Sequence, residues 1–209
     1  SLLDGACRIE QLVERVSDLG QTSCALTDHG VMYGVIDFYR ACKAKGIHPV
    51  IGCEVYLAPH SRHDRGYING EWHSHLILLC ENMTGYKNLI HMVSLAFSEG
   101  FYMKPRIDME LLREHSEGLI CMSACLAGAI PRAIANGNMD EAYEICEQFL
   151  EIFDREHFYL EIQDHGIEEQ KKVNEGLYQL AKELNLDLVA TNDAHYLTPV
   201  SYTHLTLPT

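Results

Sequence analysis

One construction in this sequence limits the choice of fold more than any other. Ala25-Leu26-Thr27 is a short apolar run that stops at Asp28-His29, and Gly30 then frees the backbone to turn sharply. The arrangement returns near the other end, where Leu188-Val189-Ala190-Thr191 stops at Asn192-Asp193-Ala194-His195. A hydrophobic strand with an acid and an imidazole at its tip offers oxygen and nitrogen donors to the space beyond the sheet. Metal ligands on the rim of a barrel are arranged in this way.

The chain between these two stretches alternates in period. Helical spacing runs over 7–19, with Ile9, Leu12, Val13, Val16 and Leu19 on one face, and again over 35–45, 84–97, 109–115, a segment reaching about 136, 140–153 and 168–184. Strand-like runs occupy 23–27, 49–56, 75–80, 118–122, 158–162 and 187–191. Thr84 is the expected cap of the third helix, and 59–72 and 101–108 are expected loops. Six strands alternating with helices imply a parallel βα order. Potential donors follow four of those strands, at 28–29, 125, 164–165 and 193–195. An open sheet would spread these ends along a line, whereas a barrel gathers them on one face, so an α/β barrel is expected.

The totals exclude several classes. With 209 residues, 47% of them apolar, the chain suits one domain with a sizeable core. No run approaches the roughly 18 apolar residues of a membrane span, and eight cysteines scattered singly suit a reducing cytoplasm better than a disulfide framework. The formal charge of −14 repels nucleic acid overall, so any contact with it must be local or bridged by metal. No glycine-rich phosphate loop and no nucleophile elbow is present. Both ends look cut, and 198–209 continues neither a helical nor a strand pattern, so it is expected to be an unstructured tail.

Seven groups of residues are candidates for chemistry. Asp28 and His29 offer ligands at a turn, or a helix cap beside an exposed imidazole. Asp193 and His195 share a strand face by the period of two. Glu54 lies in Ile51-Gly52-Cys53-Glu54-Val55-Tyr56, a run too apolar for an unpaired carboxylate, and so calls for a metal, a cation or a hydrogen-bond donor. His75 begins its strand instead of ending it, which suits a parallel rim only if that strand runs backwards, and His73 competes with it. Cys125 can serve as one soft ligand in a mixed site, while Cys121 reads as core. Asp164 and His165 are expected to orient ligands or to be plain loop. Lys104 and Arg106 beside Tyr102 form a small cationic and aromatic spot able to meet a phosphate. Mixed His, Asp, Glu and Cys donors suit zinc, manganese or iron, and clusters of such ions suit phosphoester hydrolysis.

Six stretches in order, SLLDGA (1–6), TDHG (27–30), IGCEVY (51–56), FYMKPRID (101–108), SACLAG (123–128) and ATNDAH (190–195), closely resemble the PHP (polymerase and histidinol phosphatase) domain at the N-terminus of bacterial replicative DNA polymerase III alpha subunits. The likeness covers 1–197. It implies a distorted seven-stranded βα barrel, TIM-like, whose first strand is missing from this chain, with up to three divalent ions. Carried over position by position, Asp4, His29, Glu54, His75, Cys125, Asp193 and His195 fall where the family places metal ligands, which favours His75 over His73. The family's His-x-His motif lies upstream of Ser1, and the polymerase carboxylates lie outside the chain.

The implied activity is metal-dependent phosphoesterase or 3′–5′ exonuclease chemistry, carried by Asp193, His195 and His29. Its implied partners are a DNA 3′ end and the other subunits of a polymerase III holoenzyme in the bacterial cytoplasm, with no membrane. The alternatives are a non-catalytic scaffold stabilised by metal, and a small-molecule phosphatase of the histidinol-phosphate type.

Overall fold

The computed structural model describes residues 5–67 and 71–198. Asp4 and the tail from 199 onward lie outside the described residues. Seven strands form one curled sheet: β1 (Ser23–Leu26), β2 (His48–Leu57), β3 (Ser74–Cys80), β4 (Arg106–Ile107), β5 (Leu119–Met122), β6 (Phe158–Ile162) and β7 (Leu188–Ala190). The spatial order is β1-β2-β3-β5-β6-β7, with β4 pairing β2 off this path. Among the described residues seven helices cover the outside: α1 (Ile9–Asp18), α2 (Val35–Lys45), α3 (Met83–Ser98), α4 (Met109–His115), α5 (Ala129–Ala135), α6 (Met139–Leu150) and α7 (Glu168–Leu184). This is a half-barrel with its two ends, β1 and β7, across an open cleft of about 1710 Å³ that reaches Glu54 and Glu161 on the inner face.

Three details depart from the sequence-based expectation. β3 is antiparallel to both β2 and β5, so the barrel is not wholly parallel. The segment expected as a loop at 101–108 contributes β4, only two residues long and therefore without a readable period. The cap of α3 is Asn82, not Thr84: the Asn82 side chain accepts from the backbone N–H groups of Thr84 and Gly85.

The main core lies between the outer face of the sheet and helices α3 to α7. Leu78, Leu89, Leu112, Cys146, Phe158 and Leu180 are fully buried there. A second cluster joins α1 and α2 to β1 through Val13, Val16, Phe38, Cys42 and Ile47. A third, on the inner face, is small: Ile77, Met122 and Ala124, with Tyr159 and Val189 against them. Alternation along the strands therefore sends apolar residues to the helices and leaves the inner face for polar ones. All eight cysteines are free thiols.

The long connection between β2 and β3 is tied down by the FYMKPRID stretch. Asp108 caps α4 by accepting from Leu111 N–H at 3.0 Å, and also accepts from the backbone N–H of Arg62 at 2.9 Å. Arg106 is fully buried and donates to the carbonyl oxygens of Gly100, Trp72, Arg62 and Asp64.

Candidate metal centre

The chain runs on extended beyond β1. Glu54 N–H donates to the Asp28 carbonyl at 3.0 Å and Gly30 N–H to the Glu54 carbonyl at 2.8 Å, which carries His29 alongside Glu54. Gly30 has φ 65°, and a Cβ on it would stand 2.9 Å from the Tyr56 ring, so the turn after His29 needs glycine on both counts. On the other side of β2, the reversed direction of β3 sets Tyr56 opposite His75. The start of β3 thereby meets the finishing ends of β2 and β5, and His75 reaches the rim from the opposite chain direction.

Glu54 is 3% exposed. Its Oε1 lies 2.5 Å from His29 Nδ1 and 2.8 Å from His75 Nδ1, and the three residues offer donor atoms all within 4.8 Å of one another. Among the described residues this is the one such group. Two further contacts extend it. Cys125 Sγ is 3.6 Å from His75 Nδ1, and the rings of His29 and His195 are 5.7 Å apart. His195 Nδ1 in turn lies 3.7 Å from Asp193 Oδ1. Six residues from five places in the chain thus line one mouth of the half-barrel.

The electrostatics follow from the burial. Burial pushes the Glu54 carboxyl up, but the two imidazoles outweigh it and hold the pKa at about 2. Burial, with the carboxylates of Glu54, Asp193 and Glu161 nearby, pushes the Cys125 thiol up to about 12. Asp193 is raised by burial and by Glu54, with His195 working against it. Acids that repel one another at one spot, and a thiol held protonated, are what a cation there would relieve. Glu54 Oε1 also has no well-directed hydrogen bond despite its two short approaches. Buried N, O and S groups that converge on one point fit a divalent ion, and that set suits zinc, manganese or iron.

The supports are local. Asp193 has φ 43°, unusual for a residue with a side chain. That turn is held by His165, whose Nε2 meets the Asn192 carbonyl at 2.8 Å while Gln170 donates to its Nδ1 at 2.8 Å. His195 Nδ1 closes the turn at 2.8 Å from the Asp193 carbonyl. Glu161, which sequence reasoning passed over, lies 5% exposed on the inner face. One of its oxygens accepts from Gln163 and Thr191, and the other has no partner. Its signal was the one that singled out Glu54: a carboxylate inside the apolar run Phe158-Tyr159-Leu160-Glu161-Ile162.

Other candidates fall elsewhere. Cys121 is fully buried in the main core. His73 stacks on His75 at 5.8 Å outside the donor group, its pKa pushed down to about 4 by burial and by the neighbouring cations His75, Arg132, Lys104 and Arg106. Lys104 is half-buried at the rim, its Nζ 5.2 Å above the Tyr56 ring. Arg106 needs correction as a phosphate contact: its guanidinium donates to four backbone carbonyls, and no part of it reaches solvent.

Residues 1–165 match the model of the PHP domain. The chain belongs to the PHP domain family. PHP domains similar to this one occur in longer proteins. The DNA polymerase III subunit alpha of Treponema pallidum is 48% identical over 94% of this chain, and that of Thermus aquaticus is 45% identical over 94%. The chain spans only 17% and 16% of these relatives. Among solved structures, an amidohydrolase from Chromobacterium violaceum aligns over 92% of this PHP domain and 84% of its own chain, with TM-score 0.54 at 13% identity. A candidate metal-dependent phosphoesterase from Bifidobacterium adolescentis aligns over 97% and 91%, with TM-score 0.52 at 13% identity. The barrel architecture is shared with both.

Proposed function

We propose that this chain is the PHP part of a bacterial DNA polymerase III alpha subunit and that its rim hydrolyses phosphodiesters at a DNA 3′ end. The domain in this reading is 1–197, with 198–209 outside it, in a cytoplasmic protein. The observation that carries the reading is the meeting of Glu54 with His29 and His75, flanked by Cys125 on one side and by His195 and Asp193 on the other. Those six residues, joined by Asp4, would hold up to three ions of zinc, manganese or iron. Ions in such a site supply positive charge toward a phosphoryl oxygen and make water more acidic.

The chain's own residues do the rest. Glu54, ionised down to about pH 2, fixes both flanking imidazoles with their Nδ1 atoms turned inward. The His165 and Gln170 pair holds the turn that presents Asp193. His195, beside both His29 and Asp193, would serve as a ligand through its other nitrogen, its ring oriented by Nδ1 against the Asp193 carbonyl. Lys104 at the rim is free of the constraint that removes Arg106 and can meet a non-bridging phosphate oxygen.

The overall charge of −14 favours a second reading, a metal-stabilised scaffold for the holoenzyme that never engages DNA. Elemental analysis and 3′-end digestion decide between them, on the chain alone and within the longer polypeptide its relatives represent. Hydrolysis predicts bound metal, digestion abolished by chelation, and digestion lost in Asp193→Asn. Bound metal with a raised Tm but no digestion supports the scaffold, and activity that survives Asp193→Asn sinks the assignment of this rim.

A further inference from the structure

A line of aromatic rings leads from solvent to the donor group. Tyr67, 63% exposed, stacks on Trp72 with centroids 5.1 Å apart and planes 15° apart. Trp72 meets His73 at 5.9 Å, and His73 lies nearly parallel to His75 at 5.8 Å and 25°. His75 is the imidazole 2.8 Å from Glu54. Tyr102 braces Trp72 edge-on at 6.4 Å. The last ring of the line is therefore a candidate ligand and the first is a bare face.

Cations flank the line, several of them answered by acids: Arg62 pairs with Glu99, Asp108 and Glu110, and Arg132 with Glu71. Lys104 sits over Tyr56, which contacts both His73 and His75. Arg65 is exposed, and its guanidinium donates to the carbonyls of Arg62, Asp64 and Glu99. Arg106 likewise spends its donors on carbonyls. Carbonyls satisfy the donors of Arg65 and Arg106 without cancelling their charge.

We propose that Tyr67 and Trp72 form a stacking platform for a nucleobase of single-stranded DNA whose terminal phosphodiester lies at the His29, Glu54 and His75 rim. The proposal rests on the hydrolytic reading above and adds the feature that selects a flexible single-stranded end over a duplex. Every base has a π face, so such a platform tolerates any sequence, while stacked pairs inside a duplex expose no face to it and only its terminal pairs do. Local cations offset the repulsion of the acidic surface for the one or two phosphates that come near.

Trp72 is the single tryptophan of the chain, so its emission reports on the platform directly. The probe is hexathymidylate, compared with an abasic hexamer of equal charge and with a covalently closed circular duplex. Expected is saturable quenching by hexathymidylate, little by the abasic strand or the duplex, and affinity weakened about 5- to 100-fold in Tyr67→Ala, the range of one lost base stack. Tyr67 is exposed enough for that change to leave the fold intact, which circular dichroism checks. Equal binding of the abasic strand, or an unchanged affinity in Tyr67→Ala, overturns the platform. Quenching as expected in a protein that digests no DNA supports the platform and removes the hydrolytic reading instead, so the two failures are distinct.

Discussion

Replacing Arg106 by methionine tests whether this residue is a strut or a ligand contact. Its guanidinium is fully buried and donates to Gly100 at 3.2 Å, Trp72 at 3.1 Å, Arg62 at 3.3 Å and Asp64 at 2.5 Å. These carbonyls belong to the β2–β3 connection and to the turn after α3. Methionine fills much of the volume and leaves four acceptors without their donor. Hydrogen bonds to a charged group contribute about 1.5 to 3 kcal/mol each, but removing a buried charge also returns its desolvation cost. A net loss of about 3 to 5 kcal/mol is therefore expected, the range seen when one side of a buried charged arrangement is deleted. For a chain of this size that lowers Tm by about 6 to 20 °C, measured by circular dichroism. Proteolysis should open the β2–β3 connection first, since that is what the guanidinium holds. Arg106→Lys should recover only part of the loss, because an ammonium cannot span four acceptors in a fork. A methionine variant melting within about 2 °C of the parent, yet binding DNA less well, would refute the strut and restore Arg106 as a contact.

Two further outcomes are expected. Glu161→Gln removes a buried negative charge on the inner face, whose pKa burial raises and which Thr191 and Gln163 lower only in part. Metal affinity, read by calorimetric titration, should fall about 10-fold, and an unchanged affinity would disconnect this carboxylate from the rim. On the outer surface, the Asp154 and His157 side chains lie 2.7 Å apart. The hydrogen bond to His157 lowers the Asp154 pKa from 3.8, and the one to Asp154 raises His157 from 6.5 against a smaller effect of burial. Their contribution is fully present between pH 3.8 and 6.5. It is lost as pH falls through the lowered Asp154 value or rises through the raised His157 value. His157→Gln should thus cost under about 1 kcal/mol, given solvent screening, with the largest Tm difference from the parent near pH 5 to 6 and a shrinking one as pH rises past the raised His157 value.

The sequence made most elements legible because each carries its own period. α2, α4 and α7 match their expected spans: left-handed Gly46 closes α2, left-handed Asn185 closes α7, and Asp108 caps the start of α4. What period cannot carry is direction. Nothing in Ser74–Cys80 says which way the strand runs, because an apolar strand covered on both faces reads alike in parallel and antiparallel pairing. β4 escaped notice because two residues define no period, and Asn82 because capping depends on φ and ψ, which Thr84 two residues later could equally have adopted. Arg106 was misread for a related reason. An arginine beside an aromatic residue looks like surface until the course of the chain shows four carbonyls wrapped around it.

The reversal of β3 is also what makes the rim intelligible. In a wholly parallel barrel every donor must follow its strand, and a histidine that precedes Leu76-Ile77-Leu78-Leu79 would stand at the far end from Glu54. With β3 antiparallel, the register sets His75 against Tyr56, two residues beyond Glu54, and brings it within reach of both that carboxylate and Cys125. The position that fits a parallel barrel worst is thus the one that closes the donor group. Residues that start a strand deserve the same scrutiny as residues that end one wherever a barrel contains a reversed strand, because the rim is defined by space and not by chain direction.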